Sequence, residues 1–367
     1  MADKEFNLEK YLSDSVDKII KEILKISLKN LAVSFFMARY ALAAKRAGKL
    51  RREAVERGEH IPPFLIASIT DKCNLYCQGC YARLNYAWGE TEKENQLTDR
   101  EWLDVFEQAE NLGVGFILLA GGEPLLRLEV IKSAGKVRNI LFPIFTNGTL
   151  LNDAYIRIFA KYRNLIPVLS IEGNEEYTDR RRGDGIYENL IAVMAEMHKH
   201  KIIYGASVTV TKENLEEITS INFLDKLYSR GCKAVFYVEY VPVSADTKSL
   251  EPEDAERAFL QEKLLGLRTD YGDMLFISFP GDEKESGGCL AAGRGFFHIN
   301  SQGGAEPCPF SPYSDTNIKD MTLREAINSP LFRKLRDKEI LLDQHTGGCV
   351  LFEREETVRT LLNKEDG

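Results

Sequence analysis

Three cysteines are crowded into one short stretch. Cys73, Cys77 and Cys80 form a Cys-x3-Cys-x2-Cys run inside Thr70-Asp-Lys-Cys-Asn-Leu-Tyr-Cys-Gln-Gly-Cys-Tyr81. Thiolates this close together can bind three irons of a four-iron cluster and leave the fourth iron without a protein ligand. An open iron is a place to do chemistry, whereas four protein ligands would favour simple electron transfer. Two plainer readings stand beside it. A zinc knob would want a fourth Cys or His nearby, and His60 is too far back in sequence to be an obvious one. The other is three buried thiols.

Strand-like and helix-like segments alternate around this run. Apolar stretches occur at Phe64–Thr70, Gly115–Ala120, Leu141–Thr146, Ile166–Ile171, Ile203–Thr211 and Ala234–Val241. Their length and β-branched content suit buried parallel strands. Between them, Thr98 followed by Glu101 is a capping box, and Trp102, Val105, Phe106, Ala109 and Leu112 share one helical face. Asn189–His200 and Phe223–Tyr228 read as further helices. Six such units predict an α/β fold, a partial (β/α) barrel with ligands at the carboxyl ends of its strands. An open doubly wound sheet would give the same pattern.

Other reactive residues fall at those strand ends. Gly121-Gly-Glu-Pro124 follows the second strand. Its glycines allow close backbone approach to a ligand, and Glu123 can accept hydrogen bonds from an ammonium group. Alone, such a tetrapeptide is more often a tight turn. Thr146-Asn-Gly148 closes the third strand, and Ser170-Ile-Glu172-Gly173 closes the fourth, with Ser170 and Glu172 on one face. Asp179-Arg-Arg-Arg182-Gly183 supplies guanidinium groups suited to two-point carboxylate binding, or simply an exposed charged turn. Glu239 ends the sixth strand beside Val241-Pro242.

Taken together, the Cys73/Cys77/Cys80 spacing and the Gly121–Pro124 turn resemble the radical S-adenosylmethionine (SAM) enzymes. The resemblance implies a [4Fe-4S] cluster whose open iron binds SAM through its amino and carboxylate groups. It also implies reductive cleavage of SAM to a 5′-deoxyadenosyl radical, which takes a hydrogen from an unactivated carbon or adds to a double bond. By the same resemblance Gly121, Gly122 and Glu123 contact the amino group of SAM. Ser170 and Arg182 hold its carboxylate and ribose, with Arg180 and Arg181 competing for the second place. The chain departs from the pattern at Gly79, where relatives commonly carry an aromatic residue against adenine; Tyr81 follows Cys80 instead. Glu172, Glu239 and Tyr81 are candidates for a general acid or base by position only.

The C-terminal part carries a second set of cysteines. Cys289, Cys308 in Pro307-Cys-Pro-Phe310, and Cys349 in His345-Thr-Gly-Gly-Cys349 surround a stretch containing Phe297-His-Ile-Asn300 and Gly303-Gly304. This resembles the auxiliary-cluster tail called SPASM, or Twitch in its shortened form, and implies one auxiliary [4Fe-4S] cluster. Its fourth position is open, or filled by an unidentified residue or by substrate. A Cys3His zinc site using His298 or His345 is the rival, and three unligated cysteines the plain alternative. Cys232 reads as a plain buried cysteine.

Composition sets the limits. The chain has 367 residues, 44% hydrophobic and 28% charged, as in ordinary globular proteins. Its net charge of -8 offers nucleic acid no general attraction. Seven cysteines with no signal-like leader suit a reducing cytoplasm. The first sixty residues read as helix, with an apolar stretch from Leu31 to Ala44 followed by Lys45, Arg46, Lys49, Arg51, Arg52 and Arg57. That stretch is short of the ~20 apolar residues of a membrane span. It fits a helix packed on the main domain, with peripheral membrane contact as the alternative. The expected organisation is a helical extension over 1–62, a partial barrel over 63–245, and a small α+β iron–sulfur domain with its linker over 246–367. SPASM-type tails imply a peptide or protein substrate first, and a small molecule otherwise. An electron donor such as flavodoxin or ferredoxin would be a partner. Gly before the last cysteine also resembles the branch that adds adenosyl groups to hopanoids, which implies a lipid or isoprenoid instead. A non-catalytic iron–sulfur or zinc protein is the reading from a different class.

Overall fold

The structure, a computed structural model, describes residues 31–82, 95–242, 245–286, 288–337, 341 and 349–363. Six strands occupy the six apolar stretches: β1 Phe64–Ser68, β2 Phe116–Ala120, β3 Phe142–Thr146, β4 Leu165–Ser170, β5 Gly205–Val210 and β6 Ala234–Glu239. Each pairs in parallel with the next, in sequence order. Helices cover the outer face, so most residues of these strands are buried and the strands carry largely apolar runs, with one face of β6 only partly covered. The result is the curled, open half-barrel expected.

Capping explains where several helices begin. In α2 (Asp99–Leu112), the Thr98 hydroxyl accepts from the Glu101 N–H while Glu101 accepts from the Thr98 N–H at 2.7 Å. Its apolar face is the one expected, and Gly113, at φ +90°, ends it. Shorter helices α3 (Leu128–Lys136), α4 (Asp153–Lys161) and α5 (Glu175–Arg182) were not evident from periodicity, because each spans only two turns or so. Asn152 and Asn174 cap the last two. Then follow α6 (Ile186–Lys199), α7 (Leu215–Ile218) and α8 (Ile221–Ser229).

The N-terminal helix α1 (Leu31–Glu56) lies against α2. Phe36, Tyr40, Ala47 and Ala54 are buried, and the Arg51 guanidinium donates to the Gly113 carbonyl at 2.7 Å. A Cβ on Gly113 would meet the Ala47 carbonyl at 2.7 Å, so a glycine there lets the helices approach. Residues 1–30 lie outside the described residues. Among those described, no helix is long and apolar enough to cross a membrane.

The sheet does not stop at β6. After α9 (Asp254–Asp270), β7 (Leu275–Phe279) pairs in parallel with β6. At the other edge, β8 (His298–Ile299) pairs in parallel with β1 and turns back into β9 (Ala305–Glu306), completing a nine-stranded sheet. Short helices, among them Leu323–Ile327 and Pro330–Asp337, complete the tail.

A polar chain, buried at Ser68, His298 and Glu306, fixes the β8–β9 hairpin to the barrel. His298 contacts Glu306 through Nδ1 and the Ser68 hydroxyl through Nε2, each at 2.7 Å, and Asn300 donates to Glu306 at 2.6 Å. A neutral ring satisfies this chain by donating to the carboxylate and accepting from the serine. Deleting the ring strands two buried polar groups. His298→Phe is expected to cost roughly 2–4 kcal/mol and Ser68→Ala about 1 kcal/mol. Urea unfolding checks this, and equal midpoints for wild type and His298→Phe would rule the latch out.

Candidate cluster and cofactor site

The cysteine loop leaves β1 and is held by the turn that leaves β2. The Gly122 N–H donates to the Thr70 carbonyl and the Glu123 N–H to the Lys72 carbonyl, both at 2.8 Å. A Cβ on Gly121 would overlap the Thr70 carbonyl, and one on Gly122 the Lys72 carbonyl. The two glycines therefore let this turn lie flat against the cysteine loop, a nearer cause than approach to a ligand.

Glu123 is buried and acts as a strut. Its carboxylate accepts from the Leu125 N–H at 3.0 Å, the Thr146 hydroxyl at 2.7 Å and the Asn147 N–H at 2.8 Å. Burial pushes its carboxyl above the usual range, and those three donors pull it partly back. Asn147 in turn directs its side-chain N–H groups to Asn74 at 3.0 Å and to the Cys73 sulfur at 3.9 Å. The Thr146-Asn-Gly148 motif was visible in the sequence, but nothing there joined it to Cys73.

The three thiols come together. Cys73 feels both Cys77 and Cys80 electrostatically, and burial, the larger effect, joins them in raising its pKa. The Leu75 N–H donates to the Cys73 sulfur at 3.5 Å. From the other side comes Arg182, whose guanidinium donates to the Cys77 sulfur at 3.9 Å.

The arginine run is the last turn of α5, and the structure sorts its three members. Glu172 accepts from Arg181 at 2.7 Å and from Arg182 at 2.8 and 2.5 Å, while the Thr209 N–H donates to its other oxygen at 2.9 Å. Arg180 points outward to Glu213. The Gln78 N–H donates to the Arg181 carbonyl at 3.0 Å, tying α5 to the cysteine loop. Burial alone would raise the Glu172 carboxyl, but Arg181, Arg182 and the Thr209 N–H outweigh it and hold it below the ordinary value. A carboxylate so paired is a poor proton carrier, which removes Glu172 as general acid or base. Glu239 is removed similarly, because Arg257 pairs with it at 2.5 Å.

Ser170 ends β4, half-buried, with its hydroxyl 3.2 Å from that of Ser207. Gly79, at φ +65°, sits where a Cβ would run into the Tyr240 ring. The Tyr240 hydroxyl is buried and has no hydrogen-bond partner among the described residues, an unsatisfied group facing the cysteine loop. Tyr81 stacks at an angle on Phe310, ring centroids 4.8 Å apart, and lies near both Cys80 and Cys308. Burial first, then those two cysteines, push its hydroxyl well up, so it is no base at neutral pH.

Cys289, Cys308 and Cys349 also meet. Cys308 hydrogen-bonds Cys349, and both interact with Cys289. Glu283 hydrogen-bonds Cys289, and burial pushes its carboxyl up to about 7. His298 has both ring nitrogens occupied, so it is not available as a zinc ligand, and His345 lies outside the described residues. Among the described residues, no three His, Cys, Asp or Glu side chains are arranged to hold a single metal ion. Cys232 is buried and donates to the Ala234 carbonyl at 3.2 Å, as a plain core cysteine would.

The residues present fit an iron–sulfur cluster with a bound cofactor. Three thiols converge, N–H donors from Asn147 and Arg182 reach two of them, and an unpartnered hydroxyl stands alongside.

Known proteins resemble this chain in sequence and fold. Residues 67–224 match the Radical SAM superfamily. The chain is 29% identical over 306 residues to the AdoMet-dependent heme synthase of Methanosarcina barkeri, covering 76% of this chain and 86% of that protein. It is 25% identical over 331 residues to the cysteine-type anaerobic sulfatase-maturating enzyme of Clostridium novyi, covering 78% and 84%. Among solved structures, Streptococcus suis SuiB superposes with a TM-score of 0.66 at 19% identity, covering 83% of this chain and 77% of that one. That family uses a [4Fe-4S] cluster and SAM, and its SPASM/Twitch members carry auxiliary clusters. The chain therefore carries a radical SAM domain over residues 67–224 and is an enzyme.

Proposed function

We propose that Cys73, Cys77 and Cys80 hold the SAM-binding cluster, and that the enzyme modifies an unactivated carbon of a peptide or protein. The observation that carries the first part is the pair of polar groups aimed at the thiols, Asn147 at Cys73 and Arg182 at Cys77. When bound and reduced by the donor, the cluster would supply one electron to the sulfonium of SAM, so that the sulfur–C5′ bond breaks to methionine and a 5′-deoxyadenosyl radical.

The chain's own residues prepare for that step. Gly121, Gly122 and Glu123 present the turn at which the amino group of SAM would dock. Arg182 brings a fixed positive charge, suited to a carboxylate and placed beside Cys77 by its pairing with Glu172. Ser170 offers a hydroxyl at the neighbouring strand end. Tyr81 and Phe310 place an apolar aromatic contact between the two cysteine groups. Cys289, Cys308 and Cys349 would hold one auxiliary cluster, and a flavodoxin- or ferredoxin-like donor would supply electrons.

Support for the peptide class comes from relatives. The C. novyi enzyme matures sulfatases by its name, and a relative in Gluconobacter oxydans is a PqqA peptide cyclase. A second reading, an iron porphyrin substrate, is favoured by the heme synthase match over most of both chains.

Anaerobic iron and sulfide analysis tests the cluster assignment. Wild type should hold about eight irons and the Cys73/Cys77/Cys80→Ala triple variant about four, with 5′-deoxyadenosine formed by wild type alone. Zinc in wild type without SAM cleavage would end this reading. Arg182→Lys should weaken SAM binding ~10- to 100-fold at unchanged iron content, because it loses the planar fork and its bonds to Glu172. Equal affinity would take Arg182 out of the SAM site. Titration with iron coproporphyrin III tests the second reading: a saturable Soret shift supports it, and no shift ends it.

A further inference from the structure

Three thiolates leave one corner of a four-iron cluster without a protein ligand, and in the tail a carboxylate lies against one of the three thiols. Glu283 lies in the turn Gly281–Ser286, buried at 7% exposure. Its neighbour Asp282 is committed elsewhere, taking two hydrogen bonds from Arg268 at 2.8 and 2.7 Å and one from the Ser278 N–H at 2.9 Å. That anchor turns Glu283 the other way. Its own partners are the Cys289 thiol and the Leu290 N–H, the latter at a long 3.4 Å. It forms no ion pair with any described residue.

This placement is electrostatically odd. A buried carboxylate ordinarily requires a cation or several good donors. Here it contacts the Cys289 thiol, one of the three that meet, and burial outweighs the favourable charge of Arg294. A metal centre removes the conflict, because all four anionic groups then become ligands to positive charge. Carboxylate oxygen is a ligand that iron accepts, as in non-haem sites with two histidines and one carboxylate.

We propose that Glu283 is the fourth ligand of the auxiliary cluster, completing a set of Cys289, Cys308, Cys349 and one carboxylate oxygen. The assignment rests on the reading that the tail cysteines hold a cluster. With its fourth corner closed by the protein, that cluster carries electrons and does not bind substrate at iron.

The experiment uses the full chain bearing the Cys73/Cys77/Cys80→Ala substitutions, reconstituted with iron-57, so that only the tail cluster contributes. Mössbauer spectra should show one iron distinct from the other three. Glu283→Cys, which restores an all-thiolate set, should retain the iron and make the four sites alike. Glu283→Gln should change the distinct site and the EPR line shape of the reduced cluster. Unchanged spectra in both variants would overturn the proposal and leave the corner to water or substrate. Four equivalent irons before any change at Glu283 would overturn it in favour of a fourth thiolate. No iron in the triple variant, with wild type still cleaving SAM, would remove the auxiliary cluster and Glu283 with it, while the barrel assignment stands.

Discussion

Everything at the top of this barrel depends on two backbone hydrogen bonds, Gly122 N–H to Thr70 and Glu123 N–H to Lys72. They continue the pairing of β1 and β2 past the end of the sheet and pin the start of the cysteine loop. Pinning is needed because three thiols gathered around one centre must give up the conformational freedom of an exposed loop, about 1–2 kcal/mol per residue. The clasp forms only if residues 121 and 122 lack side chains. Glu123 then passes the constraint to the next strand end through Thr146 and Asn147, and Asn147 returns it to Cys73. Three strand ends thus fix one sulfur.

A charged clamp performs the same task at the far side. Glu172 gathers Arg181, Arg182 and the Thr209 N–H, so that β4, α5 and β5 meet at one carboxylate. Losing one partner of such a buried cluster costs on the order of 3–5 kcal/mol, because the remaining charge is left uncompensated. The clamp also orients Arg182: with Nε and Nη2 on Glu172, Nη1 is directed at Cys77. A single free arginine on a loop would sample many rotamers. Here its direction is set before any ligand arrives.

What the sequence disclosed followed range of interaction. Cys73, Cys77 and Cys80 are close in the chain, as are Thr98 and Glu101, so local spacing revealed both the cysteine run and the cap of α2. The six apolar strands were legible because burial on both faces leaves an unmistakable aliphatic run. Asn147, Tyr240 and Glu283 were not, since each acquires its meaning from a partner supplied by another segment or by the fold of a turn. Glu172 and Glu239 looked reactive as strand-end carboxylates, and only the arginines beside them show that they are structural anions. The hairpin strands β8 and β9, two residues each, were too short to carry any periodicity. Their place in the sheet comes from the pairing of β8 with β1, with β9 added at the edge of β8.

That pairing bears on how the two cysteine groups relate. Ser68 ends β1 shortly before Cys73, and Glu306 ends β9 just before Cys308. The Ser68–His298–Glu306 chain therefore fixes the starting points of both cysteine loops against each other. Beyond the latch, Tyr81 after Cys80 reaches Phe310 after Cys308, so the loops touch again through their aromatic neighbours. Two contacts, one polar and buried, one aromatic, define a line between the groups and a separation that a freely jointed tail could not hold. Electron movement between clusters falls steeply with distance, which makes a fixed separation useful in its own right. A tail sharing the barrel's sheet is accordingly a better carrier for an auxiliary cluster than one tethered by a linker, and the strand β8 is the element that makes it so.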